Sequence, residues 1–374
     1  MSQDSVTYCG GLIFDGTSLH SGWAAQFEGG ILQALGPKGE IDLSGQVIDL
    51  NDDILSPGYV DLQLNGGDGL MLNDDPSVAT LKRMAKAHLG LGCRRILPTL
   101  ITDTYDKTRR AIDASVAAQG VPGIAGLHLE GPHLAVARKG AHDADLIRVM
   151  EDRDLEMLLQ AAADLPALML TFAPESVTIE QVKLLAEAGV VLSLGHTDAD
   201  FDTALSYVEA GVGCATHLFN AMSQMGNRAP GVVGAVLASG QISAGLIADG
   251  IHVHPQVMAA ALRAKTGPAE IFLVSDAMAV AGTEDAGFAL EGRQILRQNG
   301  RLTLEDGTLA GADLDLTRAL QVLVADVGVL PERVLRMATT VPARLIGLDM
   351  TLRPGMARAD VIRISNGFGA ATAA

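Results

Sequence analysis

Four polar residues close short apolar runs in this chain, and their types could hold a metal and move a proton. Glu130 ends IAGLHLE, His196 ends VVLSLGH, His217 lies in GCATHL and Asp276 ends IFLVSD. A carboxylate and two imidazoles can ligate Zn2+, with a water in the fourth position. A further Asp nearby could accept that water's proton. Each residue alone has a blander reading. A histidine near a strand end is more often a hydrogen-bonded core or loop residue. Glu130 could be half of a buried ion pair, and Asp276 could cap the next segment. Four such residues at strand ends weigh toward a site, although 196 − 130 = 66 and 217 − 196 = 21 are not spacings of a local motif.

Other histidines are sorted by the same logic. His252 and His254 form an i, i+2 pair and would share one face of an extended strand. The pair lies beyond a strand end and just before Pro255, so His252 is expected to face the pocket and His254 to serve the turn. His128 shares a strand face with Glu130, one layer deeper, and reads as a satisfied core histidine.

These residues need strands to carry them. Eight short apolar runs serve: 58–64, 94–98, 124–130, 168–172, 190–196, 213–218, 242–248 and 271–276. Ala/Leu-rich stretches of helical period separate most of them, at 78–91, 104–119, 155–163, 179–188 and 200–210. Strands alternating with helices predict a parallel sheet, and eight units predict a closed (β/α)8 barrel. Catalytic groups of such a barrel sit at the C-terminal ends of its strands. Before the break at Pro57-Gly58, glycines separate short β-like runs. After Asp276 come a β-like insert (287–308), helices near 312–327 and 331–346, and more strand and turn signals to Ser365. The expected division is a small β-sandwich domain from 1–56 plus 347–374, beside a barrel spanning 57–346.

The 374 residues suit a barrel plus a small domain. With 27 Lys+Arg against 44 Asp+Glu, the net charge is −17. That excludes a nucleic-acid binder, which needs cations for phosphates, and disfavours anionic membranes. A 48% hydrophobic and 19% charged composition excludes disorder. With 3% aromatics, the core must be aliphatic. Cys9, Cys93 and Cys214 form no CxxC and cannot all pair, which reads as a reducing compartment. No signal-peptide pattern and no apolar run of about 18 residues is visible, so a cytoplasmic protein is expected.

Eight segments occur in an order that resembles the N-acetylglucosamine-6-phosphate deacetylases of the amidohydrolase superfamily. They are PGYVDLQLNG (57–66), GLHLEGPH (126–133), KGAH (139–142), GHTDA (195–199), ATHLFNAM (215–222), ADGIHV (248–253), SDAM (275–278) and DGTLAG (306–311). The resemblance implies a (β/α)8 barrel with a β-sandwich from both termini. It implies Glu130, His196 and His217 as ligands of a divalent metal, Zn2+ with Fe2+ as the alternative, and Asp276 as catalytic acid/base. His142 would meet the substrate near its acetamido carbonyl, and Ala141 would also bind substrate. Asn220 and Ala221 would bind sugar phosphate partly through backbone, and Arg228 and His252 its phosphate. A homodimer is implied, with Arg228 reaching across from a second subunit. The Leu309-Ala310-Gly311 segment resembles a loop that closes over the substrate.

One departure from the wider superfamily matters. Many members carry an HxH pair at the end of strand one for a second metal; here Gln63 and Asn65 stand there, poor ligands for a transition metal. The fourth run, LMLTF, offers no lysine to bridge two metals. One metal per chain is expected. The same absences count against cyclic-amide hydrolases. A metal-free assembly protein would have lost its ligands, and all are present. The galactosamine epimer of the substrate stays open. A protein at −17 must reverse its sign locally to take an anion. The planar fork of Arg228 suits that, though GNRAPG also reads as a solvated loop.

Overall fold

The computed structural model describes residues 5–43, 45–290 and 292–374. Residues 1–4, 44 and 291, which fall in the expected terminal domain and insert, lie outside the described residues. All eight apolar runs form parallel strands: β1 (Tyr59–Leu64), β2 (Cys93–Ile101), β3 (Leu127–Glu130), β4 (Leu168–Phe172), β5 (Val191–Leu194), β6 (Cys214–Ala215), β7 (Ser243–Leu246) and β8 (Ile271–Leu273). Each pairs with its neighbours in sequence. The ring closes just past β8: Leu64 bridges Ala277, Asn65 N–H donates to the Ala277 carbonyl at 2.7 Å, and Asp276 N–H donates to the Gln63 carbonyl at 2.9 Å.

Helices return the chain between strands, and their starts are written locally. Ser77, Thr104, Thr178 and Asp200 each accept, through the side chain, the N–H three residues on. Each satisfies a donor that the first helical turn leaves free. The core they enclose is aliphatic, with Leu62, Leu170, Leu192 and Met258 fully buried. Burying each such side chain stabilises by about 1.5–3 kcal/mol.

Three of the strands that stop earlier than their apolar runs suggest share one reason. His196, His217 and Asp276 have φ of 48°, 28° and 49°. A left-handed residue cannot continue an extended strand. The chain therefore turns sharply at the strand mouths, at the polar residues themselves.

Both termini build the flanking β-structure. One sheet runs in the order Ile31–Pro37, Trp23–Glu28, Ser5–Cys9, Gln46–Asp49. The other runs Ala371–Ala373, Val361–Ile364, Ile54–Pro57, Leu12–Phe14, Leu19–Ser21. Ile362 stands opposite Ser56, so the late strand is antiparallel to the one that leads into the barrel. Tyr8 and Phe27 of the first sheet share a buried cluster with Ile13, Leu55 and Val361 of the second.

The insert is a four-stranded antiparallel meander: Gly287–Leu290, Arg293–Gln298, Arg301–Thr303 and Leu309–Ala312. It runs past the expected end at 308, so Leu309-Ala310-Gly311 is a strand of the meander rather than a loop. Ala312 N–H donates to the Asp276 carbonyl at 2.9 Å, which fixes the meander to the barrel mouth. The helix expected from Ala312 begins at Leu316, capped by Asp315. Among the described residues, no helix is long and apolar enough to cross a membrane.

Candidate active site

A cavity of about 200 Å³ opens at the C-terminal ends of the strands, and Glu130, His142, His196, His217, His252 and Asp276 all line it. Glu130 closes β3, and the two imidazoles follow β5 and β6. Glu130 Oε1, His196 Nε2 and His217 Nε2 stand 3.1 Å from one another on all three sides. His196 Nδ1 lies 2.8 Å from the Arg138 carbonyl. A carbonyl only accepts, so Nδ1 carries the hydrogen and Nε2 of the neutral ring presents a lone pair. The carboxylate is an acceptor as well. Acceptors packed this closely need a proton or a cation among them. Atoms that ligate one Zn2+ at 2.0–2.2 Å and tetrahedral angles stand about 3.3 Å apart, so these residues fit such an ion. Burial opposes charge on Glu130, yet hydrogen bonds with His196 and His217 hold its carboxyl well below the usual range.

His142 is also close to this cluster; one ring nitrogen each of His142 and His196 lies within 4.8 Å of the other and of a Glu130 oxygen. Its hydrogen bonds give it a different job. Nδ1 accepts the Thr102 backbone N–H at 3.3 Å and lies 2.7 Å from the Thr102 hydroxyl. The proton of the neutral ring is thus on Nε2, which stands 4.0 Å from Glu130 Oε2. Burial above all pushes His142 down to about 3, so it stays neutral. It is built as a donor into the cavity.

Asp276 follows β8 and faces the same space. Its Oδ1 accepts from Asn65 Nδ2 at 2.8 Å and from Gln63 Nε2 at 3.4 Å. Burial, then the Glu130 charge, push its carboxyl up to about 6. Gln63 Nε2 is also 3.2 Å from Glu130 Oε1. The amides at the end of β1 therefore turn hydrogens, not lone pairs, toward the two carboxylates.

The remaining residues divide. His252 lines the cavity, with Nδ1 2.6 Å from Asp249 Oδ2. Asp249 Oδ1 accepts the Ile251 and His252 N–H groups at 2.8 Å each. His254 is on turn duty as expected: it caps the helix Pro255–Ala264, Nδ1 accepting from Gln256 N–H at 3.1 Å. Ala141, Asn220, Ala221, Leu309 and Gly311 line the cavity. Ala310 does not: it is fully buried and packs with Met71, Ile295 and Leu302, because strand residues alternate faces. Arg228 is exposed in the loop after Met222 and lies outside the cavity wall. Among the described residues, that wall contains no Lys or Arg. His128 is a satisfied core histidine, with Nδ1 2.9 Å from the Leu62 carbonyl and Nε2 2.7 Å from the Thr171 hydroxyl.

Several residues serve the site without having drawn notice in the sequence. Thr102 sets the His142 tautomer and the Arg138 carbonyl sets that of His196. Asp249 holds His252, and Arg293 of the meander donates to the Ala141 carbonyl at 2.9 Å. Only Asp249, inside ADGIHV, had a readable signal.

The amidohydrolase family matches residues 54–355 of the chain. The N-acetylgalactosamine-6-phosphate deacetylase of Shewanella sp. (strain ANA-3) is 42% identical over 299 residues, covering 79% of this chain and 75% of that protein. The N-acetylglucosamine-6-phosphate deacetylase of Haemophilus influenzae is 33% identical over 332 residues, 87% of this chain and 86% of that one. Among solved structures, the N-acetylglucosamine-6-phosphate deacetylase from Pasteurella multocida superposes with a TM-score of 0.91 at 32% identity, over 98% of this chain and 97% of that one.

Proposed function

The chain belongs to the amidohydrolase family, and from that premise we propose that it hydrolyses the 2-acetamido group of N-acetyl-D-glucosamine 6-phosphate, giving D-glucosamine 6-phosphate and acetate. The observation that carries this is the triangle of Glu130, His196 and His217, with the proton acceptor Asp276 and the donor His142 on the same cavity. Glu130, His196 and His217 would hold one divalent cation per chain, Zn2+ or else Fe2+. Such an ion lowers the pKa of a water from 15.7 to about 7 and polarises a carbonyl oxygen.

The protein's own groups do the rest. Asp276 takes a proton from the attacking water as its oxygen bonds to the acetyl carbon. His142 Nε2–H donates to the amide oxygen as that oxygen gains negative charge, and a donor of this kind is worth about 3 kcal/mol. Asp276 then passes its proton to the nitrogen as the C–N bond breaks. Atoms balance: water supplies the acetate oxygen, and its protons end on amine and solvent. Ala141, Asn220, Ala221, His252, Leu309 and Gly311 would seat the sugar, with Ala310 holding their strand from behind.

A second reading, the galactosamine epimer, is favoured by the 42% identity to the Shewanella protein. Acetate release from both 6-phosphates and from unphosphorylated N-acetylglucosamine tests the assignment. A higher kcat/KM on the glucosamine 6-phosphate supports it, a higher one on the galactosamine compound moves the assignment to the epimer, and no preference for phosphate sinks both.

Among the described residues the cavity wall offers the phosphate no Lys or Arg, which supports a homodimer in which Arg228 serves the neighbouring subunit. Met225, three residues away, is 60% exposed and would be covered there. Arg228→Ala is expected to raise KM about 10- to 100-fold with kcat little changed, the size of a charge-assisted hydrogen bond. Mixing it with an inactive Asp276→Asn chain distinguishes the arrangements. Low-KM turnover returns if Arg228 reaches across, and does not if it acts within its own chain. The three cysteines are buried and free, which supports a reducing compartment, the cytoplasm.

A further inference from the structure

The amides at the end of β1 do more than fail to bind a metal. Asn65 Nδ2 donates to Asp276 Oδ1 at 2.8 Å, and Gln63 Nε2 lies 3.4 Å from the same oxygen and 3.2 Å from Glu130 Oε1. Asn65 and Gln63 are 2% and 1% exposed. The backbone holds both ends of this clamp, because the seam that closes the barrel runs through it: Asn65 N–H to the Ala277 carbonyl, Asp276 N–H to the Gln63 carbonyl.

The arrangement is not the one that packing alone would choose. Asn65 Oδ1 is buried without a hydrogen-bond partner, and an unmet acceptor is destabilising. Turning the amide over would set that oxygen against the Asp276 carboxylate, which is worse. The orphan oxygen is thus the consequence of aiming the Asn65 amide nitrogen at Asp276 Oδ1.

We propose that Asn65, assisted by Gln63, is a positioning residue for Asp276. Its hydrogens occupy Oδ1 and fix the plane of the carboxylate, so that Oδ2 is the atom that receives the water proton and later releases it to the leaving nitrogen. Gln63, between the two carboxylates, also offsets their mutual repulsion with one N–H group. The idea rests on the reading of Asp276 as proton carrier.

The test is acetate release by Asn65→Leu and by the isosteric Asn65→Asp, each in the unaltered chain and in Asp276→Ala, with metal content measured on every preparation. In the unaltered chain, kcat falls about 10²-fold with KM within about threefold, the size of a misplaced reacting group. Bound metal is unchanged. In the Asp276→Ala background either substitution costs less than about twofold more, because a residue that acts only through another is not additive with it. Equal losses in both backgrounds, loss of the bound metal, or an unchanged kcat overturns the proposal. The loss in kcat alone, with metal and KM retained, decides the matter even where Asp276→Ala turns over too slowly to read. If Asp276→Ala works at the unaltered rate, it is the reading of Asp276 that fails, and the clamp falls with it.

Discussion

Replacing Asp276 by asparagine lowers kcat by about 10³-fold or more, at the upper end of what a positioned proton carrier supplies, while KM moves less than about threefold. The substitution keeps the volume of the side chain and an oxygen for the Asn65 hydrogen bond, now 2.8 Å long. What it removes is the capacity to take a proton. Steady-state acetate release together with metal analysis checks this, and a kcat within tenfold of the unaltered chain rejects the role. The pH profile gives a second reading. Burial and then Glu130 raise Asp276 to about 6. The working form is the ionised one, so kcat falls on acidification through that pKa, by tenfold per unit below it. A cation among Glu130, His196 and His217 would favour the ionised form and shift this limb to lower pH. The acid limb is therefore expected at or below about pH 6, and it disappears in Asp276→Asn.

Glu130→Gln has the other large effect. Removing one of the three proposed ligands is expected to leave little bound metal and to cut kcat/KM by about 10³-fold or more, since polarisation by the ion is worth several kcal/mol at 1.36 kcal/mol per tenfold. The fold is not what fails. A glutamine fits the same space, and its oxygen can still accept the Gln63 hydrogen that Glu130 Oε1 accepts at 3.2 Å. Thermal melts with and without chelator separate the two causes. An ion that binds only the folded chain raises Tm by linkage. Chelation should thus lower the Tm of the unaltered protein and leave that of Glu130→Gln where it is. Full metal content in the variant, or a chelator-sensitive melt, would remove Glu130 from the ligand set.

The barrel was legible because eight short apolar runs alternate with stretches of helical period, and Leu168–Phe172 even keeps its bounds. Strand ends were less legible. Residues 190–196, 213–218 and 271–276 read as extended, yet His196, His217 and Asp276 turn into the left-handed region, a choice made by the site and not by local propensity. The residue types that meet at Glu130, His196 and His217 could be read, whereas the His142 tautomer could not. It depends on Thr102, forty residues away in the chain. Gln63 and Asn65 could be read only as poor ligands, since their donor role needs two carboxylates from other strands. Alternation along the last meander strand, invisible while 309–311 read as a loop, turned Ala310 inward. Arg228 stays a matter of assembly.

The left-handed turns at His196, His217 and Asp276 set activity against thermal tolerance. A residue with a Cβ loses about 1–2 kcal/mol in that conformation, and a whole domain has only about 5–15 kcal/mol to spare. No repacking of the aliphatic core relieves these three positions, because the backbone must bend there for the side chains to meet. Selection for heat resistance in this scaffold must therefore add stability elsewhere rather than recover it at these three turns. A lineage released from selection for catalysis would be free to relax at the mouths of β5, β6 and β8 first, losing the site before losing the fold.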